Sequence, residues 1–127
     1  PPVTVQQLDW RSTENAPLGT SGQWWLWTVS DRCPDSCQQA LRKLRAAHIL
    51  LNREAKRVRR GLSTGANFKT PEDQPDLVRI SAGGGRMDEG IYIVDPNGNL
   101  VFSYPLDINP KLLLADLKRL LKVSQIG

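Results

Sequence analysis

The chain is poor in the side chains that build most metal and catalytic centres. It holds two cysteines, one histidine and one methionine in 127 residues. A closed zinc site wants four nitrogen or sulfur ligands, and Cys33, Cys37 and His48 are only three. His48 also lies about 16 Å down a helix axis from Cys37 by helical rise, too far to share an ion. Neither Asp95 nor Asp107 stands in a histidine or nucleophile pattern, so hydrolase chemistry has no support. No apolar run approaches the roughly 20 residues that cross a bilayer. Zinc-finger spacing, a helix-turn-helix signature and aromatic RNA-binding motifs are all missing, and no internal repeat is visible.

What is present is ordinary for a globular domain. Apolar residues make up 39 % and charged residues 24 %, typical of one folded unit with its own core. The chain opens on Pro1-Pro2 without an initiator Met, so we expect a targeting or anchoring segment upstream. The net charge of +4 is unevenly placed. Eight Lys and Arg run from Arg42 to Arg60, opposed only by Glu54. With no nucleic-acid motif to accompany it, this run reads as a solvated helix face or a docking surface for an anionic membrane or partner.

Residues 1–23 read as an irregular N-terminal arm, with loop-forming residues dominating from Ser12 to Gln23. Trp24 to Ser30 is continuously apolar and aromatic apart from Thr28 and its end, the pattern of a strand buried on both faces. Trp24, Trp25 and Trp27 are therefore expected in the core, and Trp10 is the more exposed aromatic. Pro34, Asp35 and Ser36 suit the first turn of a helix. Leu41, Leu44, Ala47 or His48, Leu51 and Ala55 then form one apolar stripe, predicting a long amphipathic helix. His48 on that helix reads as a packing or surface residue.

Val58 to Ser63 is a second strand candidate, 64–76 is loop-like, and Leu77 to Ile80 is a short strand followed by Gly83-Gly84-Gly85. Ile91 to Val94 and Leu100 to Tyr104 flank Asp95-Pro96-Asn97-Gly98-Asn99, predicting a hairpin whose Asn97-Gly98 tolerates positive φ. Pro110 opens a final helix with Leu112, Leu113, Leu117, Leu120 and Leu121 on its apolar face. This order predicts an α/β fold with a central mixed sheet and helices packed on it.

The chemistry concentrates in Cys33-Pro34-Asp35-Ser36-Cys37, where the first core strand gives way to the helix. Free N–H groups at a helix start stabilise a thiolate, and Arg32 adds a positive charge beside it. A disulfide needs Cβ atoms about 3.8 Å apart, whereas i,i+4 neighbours on a regular helix stand roughly 5–6 Å apart. Cys33, at the edge of helical geometry, can close that gap. Three readings stay open: a structural disulfide or buried thiols, thiol–disulfide exchange, and a soft Cu(I) site. In exchange, Cys33 would attack and Cys37 would resolve.

These residues resemble a family, the Sco/SenC proteins, thioredoxin-fold factors of cytochrome c oxidase assembly. The likeness rests on the apolar strand, the Cys33–Cys37 motif and its helix, and the Ile91–Leu100 strand and turn. Thr70-Pro71-Glu72 is similar to the segment after the family's second strand. The Trp-rich strand and the Leu117–Lys122 segment further resemble a small membrane-anchored proteobacterial group lacking the family's copper-ligand histidine. The resemblance covers roughly residues 22–127, with residues 1–21 as an arm.

The resemblance implies a thioredoxin-like domain on the periplasmic side of the inner membrane, partnered by an oxidase subunit or assembly factor. It implies that Cys33 and Cys37 match the family's copper-binding and redox-cycling cysteines. The family's third ligand falls at or near Met87, a soft thioether, which suggests a Cys33/Cys37/Met87 site for Cu(I). Asp88 and Glu89 read as surface acids or loop caps. The competing reading is a non-catalytic docking domain stapled by a structural disulfide.

Overall fold

A computed structural model describes residues 2–7, 22–65, 67–80 and 87–124. Strands β1 (Pro2–Gln7), β2 (Trp24–Val29), β3 (Val58–Ser63), β4 (Val78–Arg79), β5 (Gly90–Val94) and β6 (Asn99–Tyr104) form one sheet. Helix α1 (Asp35–Ile49) links β2 to β3, and α2 (Pro110–Val123) follows β6. The sheet order is β1-β6-β5-β2-β3-β4. Strands β2, β3 and β4 run parallel, while β5, β6 and β1 pair antiparallel. This is a thioredoxin-like α/β fold: a mixed sheet with flanking helices.

β2 lies inside the sheet and splits its side chains between two cores. Trp24 and Leu26 join Leu41 and Leu44 of α1 and Leu113, Leu117 and Leu121 of α2. Trp25, Trp27 and Val29 face the other way, with Ile80, Tyr92, Val94 and Leu100. The strand is buried throughout, as its unbroken apolar pattern predicts. Trp27 Nε1–H donates to Ser63 Oγ at 2.8 Å, and that hydroxyl donates to the Ile80 carbonyl at 2.6 Å, tying three neighbouring segments together. Trp10 and Gly83-Gly84-Gly85 lie outside the described residues.

Four elements depart from the sequence expectation. The start of the arm, expected to be irregular, carries β1, which pairs with β6. The long helix ends at Ile49; Asn52 takes a left-handed φ of 56°, and a 3-10 turn spans Asn52–Arg57. In the hairpin only Gly98 has positive φ (87°), while Asp95 Oδ1 accepts from the Asn97 and Asn99 amides. The register shifts by one between Ile93–Phe102 and Val94–Leu100, leaving Val101 as the extra residue of a bulge on β6. Leu112, expected on the apolar face of α2, is 59 % exposed.

Candidate functional site

β2 delivers Ser30, Asp31 and Arg32 to the sheet's end, and Cys33 turns the chain into α1. Cys33 has a left-handed φ of 46°, and Pro34 is the N-cap. That turn brings the Cα atoms of Cys33 and Cys37 to 4.8 Å, and the two sulfurs are joined as a disulfide. The regular i,i+4 spacing is thus closed by backbone geometry at the helix entrance, as proposed for Cys33 from sequence. Both cysteines are buried, at 1 % and 0 % exposure.

Two side chains hold the turn from opposite ends. The Cys33 N–H donates to Ser30 Oγ at 3.2 Å, and Gln38 Nε2 donates to the Cys33 carbonyl at 3.3 Å. Ser30 Oγ in turn donates to Glu89 Oε2 at 2.8 Å. Glu89, which reads from sequence as a surface acid or loop cap, therefore anchors the buried serine behind the disulfide. Ser30 and its 59-residue reach to Glu89 carry no local sequence signal.

A hollow of about 450 Å³ is lined by Asp31, Arg32, Cys33, Gln38, Gly65, Asn67 and Phe68. Phe68 is part-buried against the core cluster that contains the disulfide. Arg79 holds this side in place, donating to the Phe68 and Gly65 carbonyls at 2.7 and 3.0 Å with its guanidinium 6.0 Å from the Phe68 ring. The Gly65 N–H reaches the Asp31 carbonyl at 2.8 Å, fastening the loop after β3 to the cysteine loop. Cys33 is the cysteine that lines this hollow; Cys37 lies behind it.

Met87 packs against the other cluster, which contains Trp27 and Tyr92. It lines a separate hollow of about 280 Å³ with Val29, Ser30, Asp31, Asp88 and Glu89. Asp31 is common to both hollows. The structure thus joins Cys33 to Cys37, while Met87 lines a neighbouring hollow that shares Asp31 with that of Cys33. Tyr92 O–H donates to the Asp88 carbonyl at 2.7 Å, and burial, with the Asp88 charge, raises its phenol above the ordinary value.

His48 is engaged near the end of α1. Arg60 Nε can only donate, so Nδ1 of His48 accepts from it at 3.1 Å and Nε2–H donates to the Ala55 carbonyl at 2.8 Å. Arg60, 4 % exposed, also donates to Gln74 Oε1 and to Asp76 Oδ2, the latter at 2.6 Å. Among the described residues no group of three or more His, Cys, Asp and Glu side chains could hold a metal ion. No helix there is long and apolar enough to cross a membrane.

The donor chemistry fits one kind of metal. The disulfide offers no thiolate; reduced, Cys33 and Cys37 are two adjacent soft donors suited to Cu(I), which accepts low coordination. An ion needing three or four nitrogen and oxygen ligands finds no such set among the described residues.

Comparison with solved structures places the fold beside the Sco proteins. Arabidopsis thaliana ScoI with copper bound matches with a TM-score of 0.64 at 15 % identity, over 87 % of this chain and 89 % of that one. Bradyrhizobium japonicum ScoI with copper bound gives 0.59 at 20 % identity, over 83 % and 88 %. BsSco, described by a disulfide switch, gives 0.55 at 14 % identity, over 98 % and 94 %. Among curated proteins none matches the chain.

These findings correct the family expectation. At such identities the Sco likeness is one of fold. Assignment to a histidine-lacking Sco subgroup does not stand: the cysteines form a disulfide, and the chain keeps His48 on the helix that carries Cys37. The model that matches the sequence, over residues 24–124, describes a transmembrane-like, thioredoxin-like, C-terminal domain. The chain belongs to that transmembrane-like, thioredoxin-like C-terminal domain family.

Proposed function

We propose that this domain exchanges disulfides through Cys33 and Cys37 as an accessory factor in cytochrome c oxidase assembly. In this reading it is tethered to the inner membrane, faces the periplasm, and meets an oxidase subunit or assembly factor. The observation that carries the exchange is a disulfide at a helix start with Cys33 on the wall of a 450 Å³ hollow. A partner thiolate entering there attacks Cys33 Sγ. The new S–S bond forms as the Cys33–Cys37 bond breaks, and Cys37 leaves as a thiolate. The partner's second thiolate then displaces Cys33, so two electrons pass to the domain and the partner leaves oxidised. In the reverse direction Cys33 is the attacking thiolate, favoured by the N-terminus of α1.

The fold neighbours support the accessory role: BsSco is described as a member of the Sco family of cytochrome c oxidase assembly proteins. An oxidising compartment suits a persistent disulfide. The near-complete burial of both sulfurs favours a second reading, a docking domain that the disulfide only staples. Reduction potential and exchange rate separate the two. We expect a potential above about −300 mV with measurable exchange against a dithiol. A lower potential with negligible exchange would replace the redox reading by the docking one.

Cu(I) is the metal cargo we propose for the reduced form, held by Cys33 and Cys37 with Met87 as third donor. The two copper-bound ScoI structures support this at the level of the shared fold. Anaerobic titration of the reduced chain should give one Cu(I) per molecule, abolished in Cys33→Ser/Cys37→Ser and weakened in Met87→Leu. Stoichiometric binding that survives the double serine variant would remove the site, and unchanged affinity in Met87→Leu would remove Met87 from it.

A further inference from the structure

α1 and α2 pack into the same core cluster on one face of the sheet. Arg57 connects their C-terminal ends, donating from the turn after α1 to the Leu121 and Ser124 carbonyls at 2.9 and 3.3 Å. Of the four large apolar side chains exposed among the described residues, three lie at this pole: Ile49 (57 %), Leu50 (56 %) and Val123 (71 %). Around them stand Arg53, Lys56, Arg57, Lys118, Arg119 and Lys122, against Glu54, which pairs with Arg57, and Asp116, which pairs with Arg119.

Compensation of the helix dipoles does not account for so many cations. Two helix C-termini together carry roughly one negative charge, and six cations face it, of which only Arg57 and Arg119 are paired with a carboxylate. The asymmetry extends to the whole molecule. The two helices and the 3-10 turn hold ten Lys and Arg against three Asp and Glu, whereas the rest of the chain holds seven against ten.

A cationic face alone would attract any polyanion. Exposed Ile49, Leu50 and Val123 within it narrow the choice, because a phosphate backbone in water gives these side chains nowhere to go. The boundary between lipid headgroups and acyl chains takes both classes at once. We propose that this pole docks on an anionic phospholipid surface, with its apolar side chains in the headgroup layer and its Lys and Arg on lipid phosphates. α1 has fifteen residues, about 22 Å of axis, so the docked domain holds the Cys33–Cys37 end away from the bilayer. This docking does not rest on the redox reading.

Flotation of the chain with phosphatidylglycerol-rich and with pure phosphatidylcholine vesicles tests it, at low salt and at about 0.15 M ionic strength. We expect binding to the anionic vesicles only, weakened by salt. Each cation at such a surface contributes about fivefold in partitioning, so Lys118→Glu/Lys122→Glu should lower it at least about twentyfold. Ile49→Ser/Leu50→Ser should abolish the binding that persists at the higher salt, and Arg32→Glu, at the other end of α1, should leave binding intact. All these positions are exposed, and circular dichroism confirms folding of each variant. No flotation with anionic vesicles, equal flotation with neutral ones, or an equal loss from Arg32→Glu would overturn the proposal. So would duplex DNA that competes the vesicles off and binds Ile49→Ser/Leu50→Ser undiminished.

Discussion

Cys33 adopts a backbone conformation that costs an ordinary residue about 1–2 kcal/mol, and it does so directly before a proline, which restricts it further. The Ser30 and Gln38 side chains offset this by satisfying its N–H and its carbonyl. Because Ser30 is buried, removing its hydroxyl leaves the Cys33 amide without its partner and Glu89 without its donor. Ser30→Ala should therefore cost about 1–3 kcal/mol in denaturant unfolding, while Glu89→Gln, which retains an acceptor oxygen at an exposed position, should cost less. Equal stability of Ser30→Ala and the parent would show that the turn does not depend on this hydroxyl. The cysteine pair and its helix-start position were legible in sequence because motif and helix signals are local. Ser30, Glu89 and Arg79 were not, since each acts through a contact between segments far apart in the chain.

Among the elements, the long apolar strand β2, the hairpin and α2 follow from local patterning, and their positions match the sequence expectation closely. The apolar periodicity runs on past the end of α1 because Leu51, just before the 3-10 turn, and Ala55 within it still face the core. β1 carries little local signal because pairing with β6 decides it, and its own sequence carries polar residues. The loop that bears Phe68 shows how elements control access to the site. Arg79 on edge strand β4 clasps two carbonyls of that loop, and Phe68 shares the hollow with Cys33. Arg79→Ala should loosen this side and speed reduction of the Cys33–Cys37 disulfide by a small thiol severalfold, with Phe68→Ala acting in the same direction. Unchanged pseudo-first-order reduction rates in both variants would mean that neither limits access. Gly90 is a second constraint of this scale: a Cβ there would stand 2.7 Å from the Tyr104 carbonyl oxygen across the β5–β6 pair. Gly90→Ala should accordingly destabilise the sheet by about 1–3 kcal/mol, read as a lower thermal midpoint.

For the whole molecule, two polar networks make stability depend on pH. At the acid side, burial alone would raise the Asp76 carboxyl, but the hydrogen bond and charge of Arg60 outweigh it and hold the group below its ordinary 3.8. A carboxyl lowered on folding contributes stability that is complete above its unfolded value and is lost as pH falls through the folded one. The contribution of Asp76 should thus be full above about pH 4–5 and vanish well below 3.8. Its side chain is 58 % exposed, so solvent screening keeps the effect near 1 kcal/mol or less. At the alkaline side, burial and the bond to Asp116 at 2.7 Å push the Tyr104 phenol far above its ordinary 10. The sign reverses there: the neutral phenol stabilises the fold below pH 10, and that stability is lost as pH rises beyond it. Unfolding free energy against pH should therefore show a plateau with two falling edges. Asp76→Asn should flatten the acid edge and converge with the parent at low pH, whereas Tyr104→Phe should flatten only the alkaline edge. A variant that lowers the curve by the same amount at every pH would show that its group contributes packing alone, with no proton linkage.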